Sequence, residues 1–429
     1  MDSVIAFTSF SRVGLVRSDG SEETYPELKH LIQSAPPRTG EDPADPESQK
    51  SWQWGPVLPS GDAMIVTSYE ETAIERIVVG DLRTRIWLLD FATQRLVPIL
   101  EGNRPSGYTT CAGVLPQGER LIASAIIDGE QRLFLTNGDV RSDRLEYEPL
   151  TAPGEGFHYG VDVSPDGTSL ACHVTGGKYA GVDGKPTIPP YPSYSIHRID
   201  LVSRSRTVLY GDDNHLYFAP VFAPDGVRVA FLDCEMKADP AHFWAKLCVL
   251  PVFLEEEPPT SATYRAATPL FTEPTHWFGT SHGSAEHRGG GSNSTSWTPD
   301  GDYITFTRRI PGSHPDCRYD ASRPDHQELV YAPENARGGT QLCYISPDAE
   351  QVVEITTAEE GKWDFRAAVS GAAGSLAFAR YSVGDPTELW MCAAMGGNEV
   401  KLTAGYDGHG ADHPRWIPEA LLDAVRRKS

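Results

Sequence analysis

The chain lacks paired cysteines. Its seven cysteines (Cys111, Cys172, Cys234, Cys248, Cys317, Cys343 and Cys392) are scattered singly, with no Cys-x-x-Cys spacing. The odd count and the lack of framework spacing favour a reducing compartment. All seven thiols are expected to be reduced and the protein cytoplasmic. The N-terminus carries no charged-then-apolar signal, and no apolar run approaches the length of a membrane span. Cations are scarce as well: 37 Lys and Arg stand against 59 Asp and Glu, a net charge of −22. Such a surface argues against nucleic acid or an anionic membrane as partner. An acidic ligand would need a local cluster of cations or a metal. Hydrophobic content of 39% with 22% charged residues fits a soluble globular protein.

What is present is a repeat. In Ser296-Trp297-Thr298-Pro299-Asp300-Gly301-Asp302-Tyr303-Ile304-Thr305-Phe306-Thr307 an aromatic enters a Pro-Asp-Gly turn and an alternating strand leaves it. Pro presets φ, Gly supplies φ > 0 and Asp bonds the backbone ahead of it. The pattern recurs at Val163-Ser164-Pro165-Asp166-Gly167 and Phe222-Ala223-Pro224-Asp225-Gly226. Looser copies lie at Val57 to Gly61, Val114 to Gly118 and Val369 to Gly371. A period of a few tens of residues is the mark of stacked sheet repeats such as propeller blades. The seventh copy begins at Trp416-Ile417-Pro418 but runs into a short helix, 419–427, while the outgoing strand it lacks has its pattern in Val4 to Ser9. The expectation is therefore all-β. It is a single seven-bladed β-propeller over 1–429 with four-stranded blades. The closing blade is shared between 1–30 and 405–418, so that N-terminal strands pair with a C-terminal strand and no sheet edge is left in the ring.

The form aromatic-x-Pro-Asp-Gly-x-x-apolar-Ala-Phe resembles the WD40-like repeats (PD40 type) of TolB-type propellers, over essentially the whole chain. The resemblance implies the fold and says little of function. Prolyl oligopeptidase-type enzymes carry a similar propeller followed by a hydrolase domain, which is not expected here because the chain stops soon after Trp416. Oligogalacturonate lyases are similar single propellers that cleave short uronate chains with a histidine-held metal. Their ligand motif has no residue-by-residue match in this sequence.

Candidate chemistry comes from the innermost strands and three long loops. Loops joining strands two and three, 178–193 and 308–340, and the inter-blade segment 272–292 are expected on one face, where long loops usually carry function. His158, His215, Tyr217 and Arg366 are the candidate catalytic residues. With His409 and His413 they precede their turns by odd offsets, which alternation would place on comparable sides of their strands. Trp52, Tyr108, Tyr191, Arg288 and Asn293 are candidate substrate-binding residues. A divalent metal (manganese, zinc or calcium) would be held by His287, His409 and His413, with Asp364 or Asp412 beside it. No organic cofactor is expected. These types suit β-elimination on an acidic, uronate-containing oligosaccharide: a cation for the carboxylate, a base for the C5 proton, an acid for the leaving oxygen. The alternatives are a non-catalytic TolB-like module binding protein or glycan, and a glycoside hydrolase using paired carboxylates. A small oligosaccharide or other small molecule is the expected partner, with a protein partner open.

Overall fold

The computed structural model describes residues 4–9, 12–32, 49–70, 84–99, 109–128, 130–142, 145–175, 180–182, 185–187, 195–212, 215–235, 244–251, 268–270, 276–277, 295–313, 317–319, 329–331, 337–371, 374–382, 385–404 and 410–426. Among them only the 3-10 turn Leu28–Leu31 and the terminal helix Glu419–Arg426 depart from strand, turn and loop. The chain divides into two compact units: Met1–His158 with Gly177–Thr187 and Arg415–Ser429, and Tyr159–Gly176 with Ile188–Pro414.

The repeated turn sets the hairpins. At Ser164-Pro165-Asp166-Gly167-Thr168 the Ser164 hydroxyl donates to Asp166 Oδ1 (2.6 Å) and the Thr168 amide to the same oxygen (3.0 Å). Gly167 takes the left-handed conformation, φ +68°, at the point where the chain reverses. These donors hold the Asp166 carboxyl below its ordinary range, the Ser164 hydroxyl contributing most. Thr298 and Asp300 repeat the arrangement, with Thr298 Oγ1 donating over 2.6 Å.

In the first unit Ser51–Val57, Ala63–Tyr69, Thr84–Asp90 and Arg95–Pro98 form one four-stranded antiparallel sheet, and Thr109–Val114, Arg120–Ile127, Glu130–Asp139 and Tyr147–Pro149 another. A third runs Glu23–Thr24, Arg12–Arg17, Val4–Ser9, Asp412–Ile417 in that order. The N-terminal strand thus has the last strand of the chain as its neighbour. The core joins Val4, Ala6 and Leu15 to Trp54, Trp87, Ile417, Leu421 and Leu422, so one face of the terminal helix is buried.

In the second unit Phe157–Val163, Ser169–Thr175, Ser195–Asp200 and Arg206–Tyr210 form a four-stranded sheet. His215–Phe222, Arg228–Glu235, Trp244–Pro251 and Thr268–Pro269 form the next, with His276–Trp277 added as a fifth strand on Trp244–Pro251. The expected fifth and sixth blades are not separate. Their strands form one seven-stranded sheet, because Thr340–Ile345 bridges in parallel to Lys362–Val369 at Thr340↔Trp363. Among the described residues five separate sheets of four or five strands stand beside this joined one, so the expected count of seven blades is corrected to five. The joining has a local cause: the Thr340 hydroxyl also donates to the Asp364 carbonyl (2.9 Å), tying Thr340–Ile345 to the innermost strand of the next repeat.

Four innermost strands carry a β-bulge a few residues before their turns. The register shifts between Trp54 and Val57, Cys111 and Gly113, Phe218 and Val221, and Phe365 and Ala368. Gly160, Ala219, Arg366 and His413 sit at corresponding places with φ of +55°, +52°, +50° and +56°. A bulge adds one residue and re-aims the side chains that follow. Beyond it, side chains reach into a neighbouring sheet: Asp162 Oδ2 accepts from the Phe222 amide (2.7 Å), and Trp297 Nε1 donates to the Val221 carbonyl (3.1 Å).

Candidate functional site

The parity argument made from sequence does not survive the bulge. His158, His215 and Tyr217 lie before it on their strands, while Arg366 and His413 are the bulge residues themselves. Their environments differ accordingly.

His215 opens the strand His215–Phe222 and makes a compact polar group with Asp212 and Tyr217. His215 Nδ1 lies 2.9 Å from Asp212 Oδ2 and 3.0 Å from Oδ1, and the Tyr217 hydroxyl donates to Asp212 Oδ2 over 2.6 Å. The Tyr217 oxygen is also 3.0 Å from His215 Nδ1. One hydrogen pattern satisfies all three: Nδ1–H donates to Asp212 and the phenol oxygen, and the phenol O–H donates to Asp212. This places a hydrogen on Nδ1, so that in the neutral ring Nε2 is the acceptor. The His215 side chain keeps 28% of its exposure and that of Asp212 39%. Tyr217 is buried against Tyr210 and Phe231. Burial pushes its phenol well above the ordinary tyrosine range, helped by the bond to Asp212 and the charge of Asp233, its cross-strand neighbour.

Arg366 is buried in the same unit, and its guanidinium makes an ion pair with Asp412. Burial lowers its proton affinity. Asp412 also accepts from the His413 amide (2.7 Å), and His413 is exposed beside it. Asp364 is buried and held by Arg380, whose Nε and Nη2 donate over 2.5 and 2.8 Å. Glu399 completes that network from the other side (2.7 Å), and the Arg380 guanidinium lies over Trp390. Burial raises the Asp364 carboxyl against the pull of Arg380.

His158, near the start of strand Phe157–Val163, is fully buried, with Nδ1 3.3 Å from the Gln131 carbonyl. Trp52 is half-buried and tilts against Trp87 with ring centroids 6.3 Å apart. Tyr108, Tyr191, His287, Arg288, Asn293 and His409 lie outside the described residues. Of the three expected metal ligands only His413 is described. Among the described residues no three His, Cys, Asp or Glu side chains gather as a metal would need, and Asp412 is already taken by Arg366. The described donor set does not fit a metal. Cys111, Cys172, Cys248, Cys343 and Cys392 are free thiols.

Two features escape the sequence reading. Asp212 precedes the strand in an inter-blade connection, where only its spacing of three from His215 signals it. Gly279-Thr280-Ser281-His282-Gly283 spells a Gly-x-Ser-x-Gly string, the form of a hydrolase nucleophile elbow. It too lies outside the described residues. Among the described residues no helix is long and apolar enough to cross a membrane.

No family model and no curated protein matches the sequence. Solved structures do match. An oligogalacturonate lyase in complex with manganese is 16% identical over 82% of this chain and 76% of its own, with a TM-score of 0.51. A prolyl endopeptidase is 10% identical over 97% of this chain and 51% of its own, with a TM-score of 0.52. TolB from Acinetobacter baumannii is 10% identical over 97% of this chain and 83% of its own, at a TM-score of 0.43. At these identities the likeness is one of fold, and this chain is an all-β propeller.

Proposed function

We propose that the protein is a lyase that cleaves a uronate-containing oligosaccharide by β-elimination, with His215 as the base. The observation that carries this is the Asp212–His215–Tyr217 group, a partly exposed imidazole whose Nδ1 is engaged by Asp212 and Tyr217. His215 Nε2 takes the C5 proton. The C–H electrons form the C4–C5 double bond as the C4–O bond breaks, and the departing oxygen collects a proton. Asp212 fixes the tautomer and stabilises the imidazolium as it forms. Tyr217, held protonated, steadies Asp212, and acts as acid to the leaving oxygen only by giving up that bond. The uronate carboxylate needs a cation in a chain of net charge −22. Arg366 would serve by exchanging its partner Asp412, and Arg288 is the other candidate.

A second reading has its own support. His158 is buried, and Arg366 and Asp364 are each matched by a counter-charge, so much of the expected constellation holds the fold together. That favours a non-catalytic module binding glycan or protein. The same pairings leave Asp364 and Asp412 poorly placed as a hydrolase pair. The discriminating assay is the appearance of unsaturated uronate ends from acidic oligosaccharides, seen by ultraviolet absorbance. His215→Ala should lower turnover by about 10²–10⁴-fold with little change in melting temperature, because the side chain is partly exposed. Wild-type protein that binds these oligosaccharides without producing unsaturated ends would overturn the lyase reading in favour of the module.

A further inference from the structure

We infer that Gly211 and Ser195 form a steric seat that places Asp212 against His215 and Tyr217, making them positioning residues for that group. Strand Ser195–Asp200 pairs with Arg206–Tyr210, with Ile196 opposite Tyr210. The chain that leaves Tyr210 must therefore pass Ser195 before it turns toward the next sheet. It passes as close as a backbone can. Gly211 is buried there, and a Cβ built on it would fall inside the van der Waals shell of Ser195 Cβ and come 3.2 Å from Ser195 Cα. Glycine is needed for this approach rather than for a left-handed turn.

Ser195 does not yield readily. Its Oγ lies 2.8 Å from Nε2 of the buried His197, and its backbone belongs to the strand. Asp212 is the next residue after Gly211, so its carboxylate position is fixed by how deeply Gly211 seats. The two acceptor contacts at 2.9 Å to His215 and 2.6 Å from Tyr217 leave little slack. Any residue with a Cβ at 211 lifts the segment away from Ser195 and draws Asp212 off the imidazole. His215 then loses the acceptor that selects its Nδ1–H tautomer.

This inference takes from the proposed function only what Asp212 is for, and its test reads the imidazole directly. The full-length protein labelled with 15N-histidine is examined by long-range 1H–15N correlation, His215 being assigned by its loss in His215→Asn. The wild type shows Nδ1–H. Gly211→Ala shifts His215 to Nε2–H, and adding Ser195→Gly, which removes the opposing Cβ, restores Nδ1–H. Adding Ser195→Ala, which keeps that Cβ, does not restore it. If unsaturated ends are produced by the wild type, their rate falls about 100-fold in Gly211→Ala, as expected for a catalytic group moved by about 1 Å. Retention of Nδ1–H in Gly211→Ala overturns the inference, as does equal rescue by Ser195→Ala and Ser195→Gly. Should Gly211→Ala alone fail to fold, the Gly211→Ala, Ser195→Gly double variant decides. Folded with Nδ1–H it supports the seat, and unfolded or with Nε2–H it overturns it. Absence of lyase activity in the wild type would sink the proposed function and leave this readout intact.

Discussion

Asp162 shows how a single residue ties sheets together and what that costs. Its Oδ2 accepts the Phe222 amide at 2.7 Å, just past the bulge of the neighbouring sheet. Burial nevertheless pushes the carboxyl up to about 7 from an ordinary 3.8, overcoming the hydrogen bonds from Phe222 and Val163 that pull it down. The folded state therefore holds this proton more tightly than the unfolded chain does. The stabilisation is full below the unfolded value and is lost as pH rises through the folded one. Between pH about 4 and 7 the Asp162 contribution to stability should fall with rising pH. Asn at this position keeps an acceptor for Phe222 and cannot ionise, so Asp162→Asn should flatten that slope and be more stable than wild type at pH 8. Urea midpoints measured across this range would show it. Parallel curves for the two proteins would mean that Asp162 is solvated and titrates normally.

At the scale of the strand, the turn chemistry was legible from sequence and the bulges were not. Pro-Asp-Gly specifies its geometry through local bonds, such as Ser164 to Asp166, and needs no tertiary information. The hydrophobic alternation of Ile304 and Phe306 likewise announced their burial. A bulge is different, because Gly160, Ala219, Arg366 and His413 share a backbone conformation with no common side-chain type. Counting by twos through such a residue moves every predicted side chain before it to the wrong face, so His215 and Tyr217 do not share the setting of Arg366 and His413. The joining of two expected blades at Thr340↔Trp363 was equally silent, being a backbone bridge between distant residues. The bulge makes its own prediction. Gly160 has φ +55°, and a Cβ there would meet His173 Nδ1 at 2.7 Å, whereas Ala219 already tolerates a Cβ at φ +52°. Gly160→Ala should cost about 2 kcal/mol in urea denaturation, while Ala219→Gly stays within about 1 kcal/mol of wild type. A neutral Gly160→Ala would show that His173 can move aside freely.

For the whole molecule, the fold is shared with proteins of different chemistry, so architecture constrains activity only weakly. What it does impose is a dependence of one end of the chain on the other. Strand Val4–Ser9 lies between Arg12–Arg17 and Asp412–Ile417, with Val4, Ile5, Ala6 and Phe7 all essentially inaccessible. Val4 and Ala6 pack in one cluster with Ile417, Leu421 and Leu422, and the Phe7 ring covers Gly14 and meets Tyr25 edge-on at 5.6 Å. Deleting the first ten residues removes those side chains from the core, at about 1.5–3 kcal/mol for each large one. It also leaves the flanking strands with unpaired backbone. The sum approaches the 5–15 kcal/mol that holds a typical domain folded. The truncated chain should therefore lose its cooperative thermal transition or melt far below the full-length protein, and its bared edges should make it aggregate. Calorimetry of the two proteins side by side tests this. A truncated chain with an unchanged transition would mean that the N-terminal strand is an ornament on a core already complete without it.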